Sequence, residues 1–466
     1  MTKSTSQAVA EVLQAATEPL TIGEIMQRIE PRQSLHTAKP EATVRSALFE
    51  NSLVATIGSR PARYVWWPKH LQGCCFRQPL AQMDFTTGEL PVTTDIWSAL
   101  WPDFLASKLK PGTITLELDN GPTLTTSIKH LRAGKPIWGL ADAQMLAEWC
   151  RAQAAGPDDD LILRVLDVQW RRYGLSLERA GTRDATELSE RDKYFLEEAL
   201  DVVRASVVRA SHEEVALHHG LILRLVARDV YRAVVAPSPL GRVLRSDLRF
   251  VVSEQSRVAL TARLVERADL ENSAEHKRYT DPLTDERPQG HWLTPGSDDE
   301  RRAWGEYLFD QGMEYRWAEQ NRMAEAYYRA ALMVDPGHAD AWVHVGNIRL
   351  NEGLLDEALQ NYLTAEAAAL ERTIGDPATY EGPFWLDLDS RPYMRALHGK
   401  GLALWRLGRR DEAAAVFRQQ LELNPNDNQG VRFMLPDLEA GLSWEESAAR
   451  FEESEQSRSD DASFSS

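Results

Sequence analysis

Residues 339–372 read ADAWVHVGNIRLNEGLLDEALQNYLTAEAAALER, and the spacing of small and large residues within them decides the fold of the C-terminal third. Trp342, Gly346, Ala358, Tyr362 and Ala365 have counterparts in the preceding segment, Gly305 to His338. That segment carries Gly312, Tyr315, Ala324, Tyr328, Ala331 and Pro336. A third copy starts at Met394 and carries Leu397, Gly401, Ala413, Phe417 and Pro425. Each copy reads as two antiparallel helices. Gly346 and Ala358 are expected where the helices cross, so that their backbones can approach. Tyr328, Tyr362 and Phe417 are expected to fill the groove to the next copy, and Pro336 and Pro425 to close the second helix. One copy cannot bury its own apolar face, but stacked copies share a continuous core, and about three are needed.

This pattern resembles the tetratricopeptide repeat (TPR) family, which places Trp, Gly, Tyr, Ala, Phe and Pro at these offsets. The resemblance implies an all-α solenoid over residues 303–450 that binds a protein partner. In that family the first helix of each repeat lines the concave face. It therefore assigns Phe309, Met313, Arg316 and Trp317 to the groove from the first copy, and Val343, Asn347, Leu350 and Asn351 from the second. From the third come His398, Leu402, Trp405 and Arg406. Trp and Arg are common interface anchors. Asn347 falls where carboxylate-binding members also place Asn. Phe309 falls where they need Lys, which argues against capture of a peptide C-terminus. The alternative is that Trp317 and Trp405 pack beneath the insert and the capping helices.

The second copy lacks the closing Pro, and an insert over 373–393 follows, with Pro377, Pro383, Pro392 and several aromatics. It reads as an ordered loop, either close to a binding face or simply a tolerated surface insertion. One or two capping helices are expected after Pro425, and residues 453–466 are polar enough to be disordered.

With 466 residues the chain is long enough for several domains, and its formal net charge of −17 is unevenly spread. Residues 1–75 hold 8 basic against 6 acidic residues, 76–190 hold 12 against 16, and 191–290 hold 16 of each; residues 291–466 hold 17 against 32. An acidic solenoid repels nucleic acid and favours protein partners, basic ones above all. No apolar run is long enough to span a membrane, and the N-terminus has no signal-peptide pattern. Three cysteines, Cys74, Cys75 and Cys150, form no framework and point to a reducing, cytoplasmic location; buried thiols are favoured over a Cys74–Cys75 redox pair.

In residues 1–70, TSQAVAEVLQAAT has helical spacing. Thr21 and Glu24 form a capping box opening a second helix, and a third starts at Pro40 with Val44, Ala47 and Leu48 as its core stripe. Two short strands follow, LVATIG and ARYVWW, around a turn at Gly58–Pro61. Three helices and a hairpin make a winged helix-turn-helix. The segment resembles the HARE-HTH family through Pro19–Ile25, Thr43–Leu48 and Tyr64-Val65, which implies a DNA- or chromatin-associated module. Lys39, Arg45 and Ser46 on the third helix, with Arg60 and Arg63 on the wing, are the candidate phosphate contacts. Packing against neighbours, or binding protein, is the alternative.

The middle reads as a β-rich domain over 76–185 followed by a helical region over 186–268. PGTITLELDNGPTLTTSI is a hairpin turning at Asp119-Asn120-Gly121, and GPDDDLILRVLDVQWRRYGLSLE offers two more strands, with the helix ADAQMLAEWCRAQA between. The order resembles the DNA-binding pseudobarrels of plant transcription factors, although any small β-rich barrel satisfies it. At 205–268 a helix capped by Ser238 and opened by Pro239 precedes two strands, like a second winged helix. Arg242, Arg245, Arg249 and Arg257 cluster there; a plain α+β segment with a solvated Arg-rich face accounts for the same pattern. Residues 271–302 read as a polar linker.

Chemistry is sparse. There is no phosphate-binding loop, no G-x-S-x-G and no zinc spacing of Cys or His. His212, Glu214, His218 and His219 miss the zincin spacing, and Asp158-Asp159-Asp160 reads as a solvated acidic turn. No catalytic residue, metal ligand or cofactor is assigned. The chain is thus expected to be a multidomain α+β protein: an N-terminal winged helix, a mixed β-rich middle with a second winged-helix-like unit, and a C-terminal TPR solenoid. Three readings of function stand. In the first, a non-catalytic DNA-binding adaptor in transcription regulation or DNA processing grips a protein partner. In the second the chain is a protein-interaction scaffold with no direct DNA role, and in the third a nuclease-type enzyme with its site in 76–290.

Overall fold

The computed structural model describes residues 4–31, 39–51, 53–57, 61–81, 83–86, 88–101, 113–131, 138–141, 144–168, 170–207, 216–252, 257–276, 288 and 291–450. The chain divides into two compact units, 1–247 with 252–259 and 248–251 with 260–466.

In the first unit, α1 (Thr5–Ala15), α2 (Ile22–Ile29) and α3 (Pro40–Glu50) precede a hairpin of β1 (Val54–Ile57) and β2 (Arg63–Trp66). Two capping boxes fix the first two helices. Ser4 and Gln7 satisfy each other's backbone at the start of α1, and Thr21 and Glu24 do so at α2. Val44, Ala47 and Leu48 face the core, against Val9, Val12, Leu13, Ile25 and Ile29. Leu20 and Tyr64 exchange backbone hydrogen bonds, tying the entry to α2 onto β2.

After α4 (Trp67–His70) come β3 (Cys75–Pro79), α5 (Thr94–Leu100), β4 (Ile114–Leu118), β5 (Thr123–Thr126), β6 (Ile128–His130), β7 (Trp138–Leu140), α6 (Gln144–Ala152), β8 (Asp160–Asp167) and β9 (Arg172–Glu178). The hairpin at Asp119-Asn120-Gly121 forms, with Asn120 in the left-handed region at φ 51°. The five longer strands make an open sheet in the order β3-β8-β9-β4-β5, and β6 and β7 pair separately. β9 runs parallel to β4, a long-range pairing that hairpin signals do not foretell. Asp158 is exposed in a turn as expected, but Asp159 and Asp160 are buried. Asp159 accepts from the Gly156 and Ala180 amides and pairs with Arg179, while buried Asp160 pairs with Arg77 at 2.5 Å and Arg183 at 2.8 Å.

Then come α7 (Ala185–Val207), β10 (Ala216–Leu217), α8 (His218–Ala227), α9 (Leu240–Ser246), β11 (Phe250–Val252) and β12 (Arg257–Leu260). Ser238 does not cap α9: its amide donates to Asp192, and the Leu240 amide is taken by Asp95 at 2.9 Å. Asp95 also accepts from the Tyr231 hydroxyl at 2.8 Å, and burial pushes its carboxyl up to about 6.

In the second unit, α10 (Thr261–His276) carries helix through the first residues of the expected linker. α11 (Asp298–Trp317) begins inside the linker's other end, where the Ser297 side chain accepts from the Glu300 amide. The repeats follow as helix pairs: α11 with α12 (Asn321–Val334), α13 (Ala339–Asn351) with α14 (Leu355–Ala369), and α15 (Arg391–Arg406) with α16 (Arg410–Leu423); α17 (Val431–Glu439) caps them. In every pair the small residue of the first helix faces an aromatic of the second. A Cβ on Gly312 would lie 2.6 Å from Tyr328, one on Gly346 2.8 Å from Tyr362, and one on Gly401 2.2 Å from Phe417. The glycine therefore seats a ring more than it brings two backbones together. Tyr362 also lies under Gly399, so it fills the step to the next repeat as expected. The insert is ordered: α14 passes into one π turn at Leu370–Ile374, stops at Gly375 with φ 67°, and sends Tyr380, Phe384 and Trp385 onto the solenoid core.

Ionic groups that no pattern announced hold the first two repeats together. Arg329 and Arg349 are fully buried on either side of Glu325. Arg329 Nε donates to Glu325 at 2.8 Å, and Arg349 pairs with both Glu325 and Glu352. Burial alone would push the Glu325 carboxyl up; Arg349 and Arg329 together outweigh it and hold it below its ordinary value. Across the same boundary Arg372 grips Asp335 with two hydrogen bonds of 2.7 and 2.8 Å.

Candidate protein-binding groove

The first helices of the three repeats, α11, α13 and α15, together wall a cavity of about 790 Å³. Seven of the twelve residues assigned to the groove line it: Phe309, Met313, Trp317, Val343, Asn347, His398 and Leu402. Phe309 is held by ring contacts with Tyr328, His338 and His344, at centroid distances of 5.6, 4.7 and 5.4 Å. Trp317, at the end of α11, is 75% exposed. Asn347 accepts a hydrogen bond from the Tyr362 hydroxyl at 2.8 Å, which fixes its amide at the cavity wall.

The other five, Arg316, Leu350, Asn351, Trp405 and Arg406, do not line the cavity. Trp405 is a correction: it is 2% exposed, its indole donates to the Leu442 carbonyl at 3.0 Å, and its ring meets Trp444 edge-on. It anchors the C-terminal cap, as the alternative reading allowed. Arg406 is half-buried and donates to the Leu350 carbonyl at 2.7 Å. Arg316 donates to Asn321 on the neighbouring turn, and Asn351 is exposed away from the cavity.

Several lining residues were not singled out from the sequence. Asp340 and Arg395 both hold the second template position of their repeats and meet across the repeat boundary at 2.5 Å. Both lie on the first helix of a repeat, the helix that the resemblance assigns to the concave face, so the pattern carried a signal. Arg391 lies ahead of the third copy's start at Met394, in a first turn that only the structure assigns to α15. Its guanidinium donates to the Trp385 carbonyl at 2.8 Å and lies 5.7 Å from the Trp385 ring. Leu388, from the insert, also lines the cavity and is 67% exposed, so the insert forms part of the groove's rim. Two histidines sit in the wall. Burial pushes both His344 and His398 down to about 4, so both are neutral near pH 7. His398 Nδ1 is buried and has no hydrogen-bond partner among the described residues.

The N-terminal candidates are mostly exposed but already engaged. Arg45 pairs with Glu41 at 2.7 Å one turn away, and Ser46 donates to Glu50. Arg63 donates to the Pro19 carbonyl at 2.9 Å and lies 3.9 Å from Glu24. Lys39 is exposed at the start of α3. Beside Arg45, one turn along α3, Phe49 is 91% exposed. Arg60 lies outside the described residues, as does the Arg257 side chain. Arg242 is exposed; Arg245 is half-buried and close enough to Asp95 to help lower its carboxyl. His212 and Glu214 lie outside the described residues, as do the side chains of His218 and His219. Burial pushes the Cys74 thiol up to about 12 and the Cys150 thiol up to about 11. Cys75 is raised in the same way, so none is poised as a nucleophile.

Comparison with known proteins agrees with the helix geometry. Residues 395–427, spanning α15 and α16, match the family model of the tetratricopeptide repeat. Among solved structures the chain is similar to the TPR domain of Arabidopsis OM64, at 19% identity and a TM-score of 0.24, over 30% of this chain and 99% of that one. The repeat assignment rests on the family match and the helix pairs, not on that likeness. Comparison with curated proteins returns no match. The C-terminal region thus contains a tetratricopeptide repeat, a motif of protein–protein interaction. Among the described residues no helix is long and apolar enough to cross a membrane.

Proposed function

We propose that this chain is a non-catalytic adaptor whose repeats hold a segment of a partner protein in the groove of α11, α13 and α15. The observation that carries the reading is the cavity itself. It is concave and of ligand-binding size, with aromatic anchors at one end, polar groups along its wall and an ordered insert at its rim. A segment lying there would bury Trp317 and Leu388, the two exposed apolar side chains that border it. The test is fluorescence anisotropy with a labelled peptide selected from a random-sequence library on the full-length protein. Leu402→Arg places a charged side chain in the groove and should weaken binding at least tenfold with an unchanged circular dichroism spectrum. Equal affinity for both proteins overturns the reading.

The N-terminal three helices and hairpin are proposed to be a winged-helix module that docks protein. Two of its candidate phosphate-binding cations are held by carboxylates or a carbonyl of their own chain, which weakens the counterion-release term that drives nucleic-acid affinity. The exposed Phe49 on α3 offers apolar area instead. A mobility-shift assay across a salt series decides this: a shift at low salt that is lost in Arg45→Ala would restore the DNA-binding reading.

A further inference from the structure

The walls of the groove carry unequal charge. On α15, Arg395 is paired with Asp340, and Arg391 is held against the insert by the Trp385 carbonyl and ring. Both histidines are neutral near pH 7. On α11, Asp310, Glu314 and Trp317 lie on one face, spaced four and three residues apart, and all line the cavity. Glu314 is exposed and forms no ion pair among the described residues, and Trp317 presents most of its ring to solvent. Glu314 beside an exposed indole, with Asp310 adding negative charge one turn earlier, makes a receptor for a cation: the Glu314 carboxylate accepts charge-assisted hydrogen bonds and the ring face attracts the same positive group. The surrounding field has the same sense, because residues 291–466 hold 17 basic against 32 acidic residues.

We infer that the occupant of the groove is a basic segment of a partner protein, with an Arg or Lys seated on Glu314 and Trp317, in the field of Asp310. An apolar neighbour of that residue packs against Phe309, Met313 and Leu402. This rests on the groove reading above and sharpens it. An Arg fits best, since its planar guanidinium can lie on the indole while donating two hydrogen bonds to one carboxylate. Acidic segments are disfavoured by the same carboxylates.

The test uses a bead-displayed random peptide library on the full-length protein, followed by anisotropy with the fluorescein-labelled winners. Three variants accompany the wild type: the double variant Asp310→Asn/Glu314→Gln, Trp317→Ala, and Leu402→Arg as the groove block. All three carry their change at partly or fully exposed side chains, and circular dichroism checks their fold. The expected result is enrichment of Arg and Lys beside an apolar residue. Affinity should fall about tenfold or more in the carboxylate double variant, and about threefold in Trp317→Ala. It should also fall as salt rises. Winners that lose affinity in Leu402→Arg, yet show no basic enrichment or bind the double variant equally well, overturn this inference and leave the groove reading standing. Winners indifferent to Leu402→Arg, or a library with no winners, overturn both.

Discussion

Replacing Gly401 by Ala probes the contact that defines each repeat. The added Cβ would lie 2.2 Å from Phe417 Cε1, and 2.7 and 2.8 Å from two further ring carbons, where about 3.5–4.0 Å is comfortable. Phe417 is fully buried, so its ring cannot swing into solvent. Overpacking of this kind costs about 1–3 kcal/mol. Against it stands the helix preference for Ala over Gly, about 0.8–1.0 kcal/mol. The clash is severe enough to win, and Gly401→Ala should destabilise α15 and α16 by about 1–2 kcal/mol. Gly346→Ala, where the nearest approach is 2.8 Å, should be close to neutral, and Gly312→Ala, at 2.6 Å, should fall between. Phe417→Leu should relieve the clash, so the double variant should lose less than the two single changes added together. Because the chain has two compact units, the readout is hydrogen exchange of α15 and α16 amides, which reports local opening free energy. Slower exchange in Gly401→Ala, by the amount helix propensity alone gives, would refute the idea that the glycine exists to seat the ring.

Further consequences follow from the second unit. Glu325→Ala leaves Arg329 and Arg349 buried without their shared anion and should cost about 3–5 kcal/mol, measured by the same exchange method on α12 and α13. Glu319 adopts φ 59° where the other two repeats place Gly353 and Gly408, at φ 76° and 77°; Glu319→Gly should therefore stabilise the first repeat by about 1 kcal/mol. His344 and His398 are depressed from 6.5 to about 4, so the unfolded chain binds more protons between those values. Their contribution to stability is complete above about pH 6.5 and declines as pH falls toward 4. Proton NMR titration should find two histidine ring signals still neutral at pH 5.5, and signals titrating near 6.5 would remove that pH dependence.

The parts legible in the sequence were those governed by local rules. Thr21 with Glu24, and the Val44–Ala47–Leu48 stripe, are set by contacts within a turn or two of helix, and the repeat spacing places Gly401 opposite Phe417 without reference to the rest of the chain. Contacts made at a distance were not legible. Asp95 caps α9 across more than a hundred residues, and β9 pairs parallel with β4. Buried Arg349 reads in sequence as a surface residue of an amphipathic helix, because charged side chains are normally exposed. In the groove, the repeat template brought Phe309, Trp317, Asn347 and His398 to one cavity. It misassigned Trp405, since the template position is the same whether another repeat or a cap covers it. Arg391 lies ahead of the third copy's template, which starts at Met394, and the insert that forms its setting follows no template.

The most direct measurement is hydrogen–deuterium exchange of the full-length protein with and without a saturating library-selected peptide. The account predicts slowed exchange concentrated on α11, α13, α15 and the Leu388 turn, with α12, α14 and α16 little changed. Protection confined to the outer helices, or to the first unit, would contradict it.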